Sequence, residues 1–213
     1  MTEVDLTSRK RKQAPASHTP PLERSRVDDC SLVFSGNLSH FKSRGANFSG
    51  LLTREGQAYF DRTRYISVLE RFREPILIFR PRRFGKSLTI NMLEHFHGLQ
   101  YRDTHQTLYQ GLDVEKDIAE RTVTPGQFFV LKFDFSPINC SPNFEQADRA
   151  LKARITNSLK KFYITYAMYW DVDELSKNID PENPAESLWA CVEAVNDLLR
   201  KARERDDKRL AGI

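Results

Sequence analysis

Apolar positions along the chain fall into distinct regimes. From Ser8 to Ser25, proline, serine and charge alternate with almost no large apolar side chain. Such a composition cannot bury enough surface to offset the entropy of ordering, so residues 1–29 read as a disordered basic tail. Residues 30–57 read as a partly ordered lead-in, where Phe34, Leu38, Phe41, Phe48, Leu51 and Leu52 could dock on a core between punctuating glycines. Periodic order begins near Tyr59. Thr63 is placed to cap a short helix carrying Ile66, Val68, Leu69 and Phe72, closed by Pro75. Ile76-Leu77-Ile78-Phe79 is a short continuous apolar run, the pattern of a strand buried on both faces. Leu88, Met92, Leu93 and Phe96 then recur at helical spacing over Lys86 to His97, with Gly98 as the stop. Asp113 to Glu120 predicts one or two helical turns. Phe128 to Phe135 predicts a second strand, broken by Pro137, Asn139 and Pro142.

Two longer helices follow. Ala147, Leu151, Ile155, Leu159, Phe162, Tyr166 and Trp170 step by three or four and predict a helix from about Phe144 to Trp170. Asn183 as cap, Pro184 in the first turn and Glu186 as capping-box partner start the last helix, which carries Leu188, Val192, Val195 and Leu199. The order strand, helix, strand, helix predicts an α/β domain with a parallel sheet and flanking helices over residues 58–205, ending in a charged tail at 206–213.

Composition narrows the class. The 213 residues are 39% hydrophobic and 29% charged. No run approaches the roughly 18 apolar residues of a membrane span, and no apolar stretch at the start resembles a secretion signal. The cysteines Cys30, Cys140 and Cys191 are odd in number and far apart, which excludes a disulfide scaffold or a Cys-rich zinc module and points to a reducing, intracellular compartment, nucleus or cytoplasm. Arg9-Lys10-Arg11-Lys12 in the tail is a candidate nuclear-import signal; the plainer reading is a solvated basic tail.

The net charge of +4 is unevenly placed. Between Asp61 and Lys86, the basic residues Arg62, Arg64, Arg71, Arg73, Arg80, Arg82, Arg83 and Lys86 meet only Asp61, Glu70 and Glu74. That local excess exceeds the whole chain's, so an anionic ligand is the natural partner. The same segment carries the chemistry. An apolar run enters a turn that ends in Gly85-Lys86-Ser87, and a helix starts there, the context of a phosphate-binding loop. Backbone N–H groups at the helix start favour phosphate oxygens, Gly85 lets the chain bend, Lys86 reaches outer phosphates and the Ser87 hydroxyl can ligate Mg²⁺. The usual loop begins with glycine, where this chain has Arg80. The bland alternative is a basic turn before an amphipathic helix.

Arg80-Pro81-Arg82-Arg83-Phe84-Gly85-Lys86-Ser87 resembles the AAA-ATPase-like P-loop domains marked by the same octapeptide, in which arginine at the first position is the norm. Phe60-Asp61-Arg62-Thr63-Arg64-Tyr65-Ile66 before it and Leu131-Lys132-Phe133-Asp134-Phe135 after it resemble that family's flanks, so the likeness covers about residues 55–170. It implies a P-loop NTPase-like fold that binds ATP with Mg²⁺, with Arg80, Arg82, Arg83, Phe84, Gly85, Lys86 and Ser87 at the nucleotide. It also implies a Walker B strand, four apolar residues and then Asp, and none is visible after residue 136. The expectation is therefore an incomplete, truncated member with hydrolysis weak or absent, and with an open sheet edge that favours self-association. Asp134 is the one candidate to complete the Mg²⁺ shell; otherwise it is a strand-end acid.

The remaining candidates are weaker. His95 and His97 sit two apart, on different helix faces, which suits packing rather than zinc. Phe162, Tyr163, Tyr166, Tyr169 and Trp170 could stack bases beside Lys160 and Lys161, but a core stripe explains them more simply. Tyr65 could pack near an adenine or in the core. The alternative function is a non-enzymatic interaction module whose Arg/Lys cluster binds nucleic acid or a phosphorylated protein partner.

Overall fold

The computed structural model describes residues 24–26, 32–35, 47–53, 58–72, 74–138, 143–204 and 210. The basic run Arg9 to Lys12 and the charged end 206–209 lie outside them. Three short strands, β1 (Arg24–Arg26), β2 (Leu32–Ser35) and β3 (Ala58–Phe60), pair in the order β1-β2-β3, with both pairings antiparallel. The register sets Ser25 opposite Phe34 and Val33 opposite Tyr59. Part of the expected tail and of the lead-in is thus strand.

The rest is helical. Helix α1 (Phe48–Thr53) starts on Asn47, whose Oδ1 accepts from the Gly50 N–H at 2.7 Å. Short helices α2 (Tyr65–Glu70), α4 (His105–Leu108) and α5 (Val114–Ala119) surround α3 (Lys86–His97), and a 3₁₀ turn covers Leu99–Thr104. Phe48, Leu51, Leu52, Tyr59, Ile66, Met92, Phe96, Tyr109 and Val114 are buried together as a first core. A buried polar knot locks it. Asp61 accepts from Thr63 N–H at 2.9 Å, from the Thr63 hydroxyl at 2.7 Å and from Asp113 N–H at 2.7 Å, and Thr63 Oγ1 accepts from Val114 N–H at 3.2 Å. Thr63, expected as a helix cap, instead ties the start of α2 to α5.

Three further helices form a second core: α6 (Phe144–Thr165), α7 (Val172–Ser176) and α8 (Pro184–Glu204). Leu159, Phe162, Tyr163, Tyr166 and Cys191 are its buried centre. Phe129 packs on it, 4.9 Å from the Tyr166 ring and stacked 5.5 Å from Trp170. The seam between the cores is polar. The Tyr166 hydroxyl donates to Gln100 Oε1 at 2.5 Å and accepts from Val130 N–H at 2.8 Å, while Lys132 pairs with Glu94 at 2.6 Å.

The parallel sheet is the expectation that fails. Ile76–Phe79 joins no ladder, and its apolar side chains are largely exposed, Leu77 at 78% and Phe79 at 87%. Of the segment from Phe128 to Phe135, only Phe128 is bridged, in parallel, to Gly98. The sole multi-stranded sheet among the described residues is antiparallel and involves neither run. The physical reason is that an apolar run becomes a buried strand only with neighbours on both edges and both faces. Here the aromatic helices, not a sheet, take up Phe129 and Leu131, and no core cluster among the described residues takes up Leu77 or Phe79.

Candidate anion-binding loop

The basic loop is built by its two ends. Upstream, residues 75–80 run past α2 with alternate side chains on opposite sides: Ile76 and Ile78 line a cavity of about 430 Å³ with Leu69, Lys86, Ile90 and Leu93, while Leu77 and Phe79 project outward. Downstream, α3 begins at Lys86 without a side-chain cap, so its first N–H groups face the loop. Between them the chain turns through two left-handed residues, Arg83 at φ 69° and Gly85 at φ 78°. A Cβ on Gly85 would come within 3.1 Å of Arg62 Nη1, the atom that approaches the Phe84 carbonyl at 3.5 Å. The positive φ favours glycine here, and a side chain would push the end of Arg62 aside.

Lys86 does not extend toward solvent. Its ammonium donates to the Arg80 carbonyl at 2.5 Å and to the Pro81 carbonyl at 3.2 Å, closing the loop on itself. Arg82 and Arg83 are exposed and Arg80 is half-buried. Among the described residues, no acidic side chain pairs with any of the three. Phe84, 61% exposed, stands between them and α3. Nearby, Arg64 donates to the Tyr65 hydroxyl at 3.1 Å with its guanidinium over the ring, and this hydrogen bond pulls the phenol below its ordinary range.

The predicted site residues thus divide. Arg80 to Ser87 come together as one exposed loop and helix start. Asp134 is engaged elsewhere: its Oδ1 accepts from Ser136 N–H at 3.0 Å, and Ser136 holds its carboxyl below the usual range. No group of three or more His, Cys, Asp or Glu side chains among the described residues could hold a metal ion. His95 is buried against Tyr101, with ring centroids 3.8 Å apart, and His97 lies 3.6 Å from Glu70; both are packing residues of α3. Phe162, Tyr163 and Tyr166 are core, as the simpler reading held. The sequence did not reveal the buried Asp61–Thr63 knot, although Asp-x-Thr before a helix is a signal for such a turn.

The reading of the chain as an ATP-binding P-loop domain is corrected by this geometry. A P-loop hangs between a strand of a sheet and a helix, and the sheet also brings the Walker B acid. Residues 76–79 belong to no sheet, no apolar strand ending in Asp is present among the described residues, and Lys86 is spent on the loop's own carbonyls. The described residues do not build the sheet and Mg²⁺ shell of a nucleotide-hydrolysing P-loop.

No described helix is long and apolar enough to cross a membrane. The family model AAA-ATPase-like, described as Predicted AAA-ATPase, matches residues 46–203. Neither a curated protein nor a solved structure matches the chain. The chain belongs to the AAA-ATPase-like family, and with that membership comes a distant ATPase relationship and a general potential for nucleotide and Mg²⁺, held at the level of the family alone.

Proposed function

We propose that this AAA-ATPase-like chain is a non-catalytic interaction module whose basic loop binds the phosphates of single-stranded nucleic acid. The observation that carries the reading is the set Arg80, Arg82 and Arg83, which lack acidic partners among the described residues, beside the exposed ring of Phe84. Unpaired guanidiniums supply phosphate contacts, and an exposed aromatic supplies a stacking face that accepts any base. Nucleic acid is favoured over a phosphorylated protein because arginines interleaved with an aromatic match a repeating phosphate–base polymer, whereas a single phosphate needs only the charge.

The test is fluorescence anisotropy with a labelled single-stranded oligonucleotide at several salt concentrations. With about three phosphates engaged, log K should fall against log salt with a slope near −2. Arg82→Ala should make that slope shallower by about 0.7, one phosphate's worth. Phe84→Ala should lower affinity at every salt by about 1–3 kcal/mol for one lost stack. Binding to a phosphopeptide but not to the oligonucleotide would move the assignment to a phosphorylated protein, and binding indifferent to Arg82 would sink the loop as the site.

A further inference from the structure

Residues 74–79 have no role in the anion site as described, and together with Arg80, which begins that site, they have the features of an open strand edge. Residues 75–80 make no backbone–backbone hydrogen bond to any other segment among the described residues, and of their carbonyls that of Arg80 already accepts from the Lys86 ammonium, which leaves it a second lone pair. Their side chains alternate as in an extended strand: Ile76 and Ile78 line the cavity against α2 and α3, and Leu77 and Phe79 face solvent. An exposed apolar edge of this kind is a template for pairing with another chain.

The sequence selects the occupant. Leu77 is the midpoint between Glu74 and Arg80, so the segment is complementary to itself when reversed. We propose that residues 74–80 pair antiparallel with the same segment of a second copy, about a two-fold axis at Leu77. In that register Leu77 faces Leu77, Ile76 faces Ile78, Pro75 faces Phe79 and Glu74 faces Arg80. Antiparallel pairs alternate between hydrogen-bonded and non-hydrogen-bonded. Taking the Ile76·Ile78 and Glu74·Arg80 pairs as the bonded ones puts Pro75, which has no N–H, at a pair that needs none. It also makes Leu77·Leu77 a close non-bonded pair, where side chains approach most nearly.

Charge agrees with this register. Glu74 is exposed with no cation paired to it among the described residues, and Arg80 likewise has no acid. The dimer joins them twice. The two basic loops leave the ribbon at opposite ends, Arg80 to Arg80 about six residues or roughly 20 Å apart, so their charges do not confront one another. A parallel arrangement would instead set arginine beside arginine and glutamate beside glutamate. The pairing engages Arg80 and leaves Arg82 and Arg83 of each loop for phosphate; it forms without nucleic acid, so the oligomeric state measured in its absence tests the pairing apart from the proposed function.

The experiment is sedimentation equilibrium of the full chain over a wide concentration range, with cysteine cross-linking in a Cys30→Ser, Cys140→Ser background. The wild type should show a monomer–dimer equilibrium. Leu77→Asp should be monomeric with an unchanged circular dichroism spectrum, since that side chain is 78% exposed. Glu74→Arg and Arg80→Glu should each weaken the dimer up to about tenfold through two unfavourable pairs, and the double reversal should restore it. Leu77→Cys should oxidise to a covalent dimer, because the facing Cα atoms lie about 4.5 Å apart, inside the disulfide range of about 4.4–6.8 Å. Phe79→Cys should not, because its copies lie about 14 Å apart. A wild type that is monomeric at every soluble concentration would overturn the proposal. So would a dimer that survives Leu77→Asp, reversals that fail to rescue one another, or equal cross-linking at positions 77 and 79.

Discussion

Helices α6, α7 and α8 of the second core each start on a side chain that accepts from the first turn: Asn143 from Glu145 N–H at 2.9 Å, Asp171 from Asp173 and Glu174 N–H at 2.9 and 3.1 Å, and Asn183 from Glu186 N–H at 3.3 Å. In the first core only α1 is capped in this way, by Asn47; α2, α3, α4 and α5 follow Arg64, Gly85, Thr104 and Asp113, and none of these caps with its side chain. The second core is lined by two long helices, α6 and α8, and by aromatic rings; the first, apart from α3, contains short helices, with the buried polar groups Asp61, Thr63, His95 and His105. One core is specified locally, by caps and helical periodicity. The other is specified by contacts between segments far apart in sequence, such as Asp61 with the Asp113 N–H at 2.7 Å and Thr63 with the Val114 N–H at 3.2 Å. The basic loop sits on the second kind of foundation.

The largest expected effect tests whether the cores are independent. Tyr166 is buried in the second core, and its hydroxyl also joins Gln100 and the Val130 backbone at the seam; burial pushes its phenol up to about 12, so it stays protonated and able to donate. Tyr166→Ala should cost about 3–5 kcal/mol through the cavity and the lost bonds, measured by urea denaturation. Tyr166→Phe keeps the ring and should cost about 1–3 kcal/mol by leaving buried partners unpaired. A single cooperative transition, lowered by both substitutions whether followed by the fluorescence of Trp170 and Trp189 or by circular dichroism, would show that the seam couples the two cores. Two separated transitions would sharpen the contrast into two folding units.

Acid should reach the first core before the second. His95, His97 and His105 all lie in or against the first, and burial holds each imidazole below its ordinary 6.5. The folded chain therefore binds fewer protons than the unfolded chain. The stability these rings contribute is present above about pH 6.5 and is lost as pH falls through that value toward their depressed folded values. Glu70, 3.6 Å from His97, offsets part of this while ionised, although burial raises its own carboxyl pKa. Amide exchange across α3, corrected for its intrinsic pH dependence, should quicken relative to α6 between pH 7.5 and 5.5. Equal protection of both helices over that interval would remove the distinction.

The same contrast explains what was legible beforehand. The long helices were readable because the stripe through Leu159 and Phe162 and the Asn183-Pro184 start are local signals, although α6 ends at Thr165 rather than at the predicted Trp170, with Tyr166 and Trp170 packing from the turn beyond it. Helix α3 was readable over its whole length for the same reason. The strands were misread because Ile76–Phe79 and Phe128–Phe135 carry strand composition, while strandedness depends on partners that lie elsewhere in the chain. The basic loop was visible as a string of residues. That Lys86 would turn inward onto the Arg80 and Pro81 carbonyls was not visible, because spacing alone does not fix which acceptor an ammonium finds first.

The smallest effect bears most directly on local against distant specification. Asp171 holds two N–H groups of α7, and these would otherwise have no partner inside the helix. Asp171→Ala should therefore cost about 1 kcal/mol, the usual worth of a cap. At the corresponding place in the first core, the Thr104 hydroxyl donates backward to the Tyr101 carbonyl at 2.8 Å and holds no N–H of α4. Thr104→Ala then loses one exposed hydrogen bond and no cap, and should cost less than Asp171→Ala. The comparison is made by chemical denaturation of the two variants beside the wild type, with m-values checked for equality so that midpoint shifts report stability. If Thr104→Ala proves as costly as Asp171→Ala, side chains at the helix starts matter equally in the two cores, and their difference would lie only in helix length and aromatic packing.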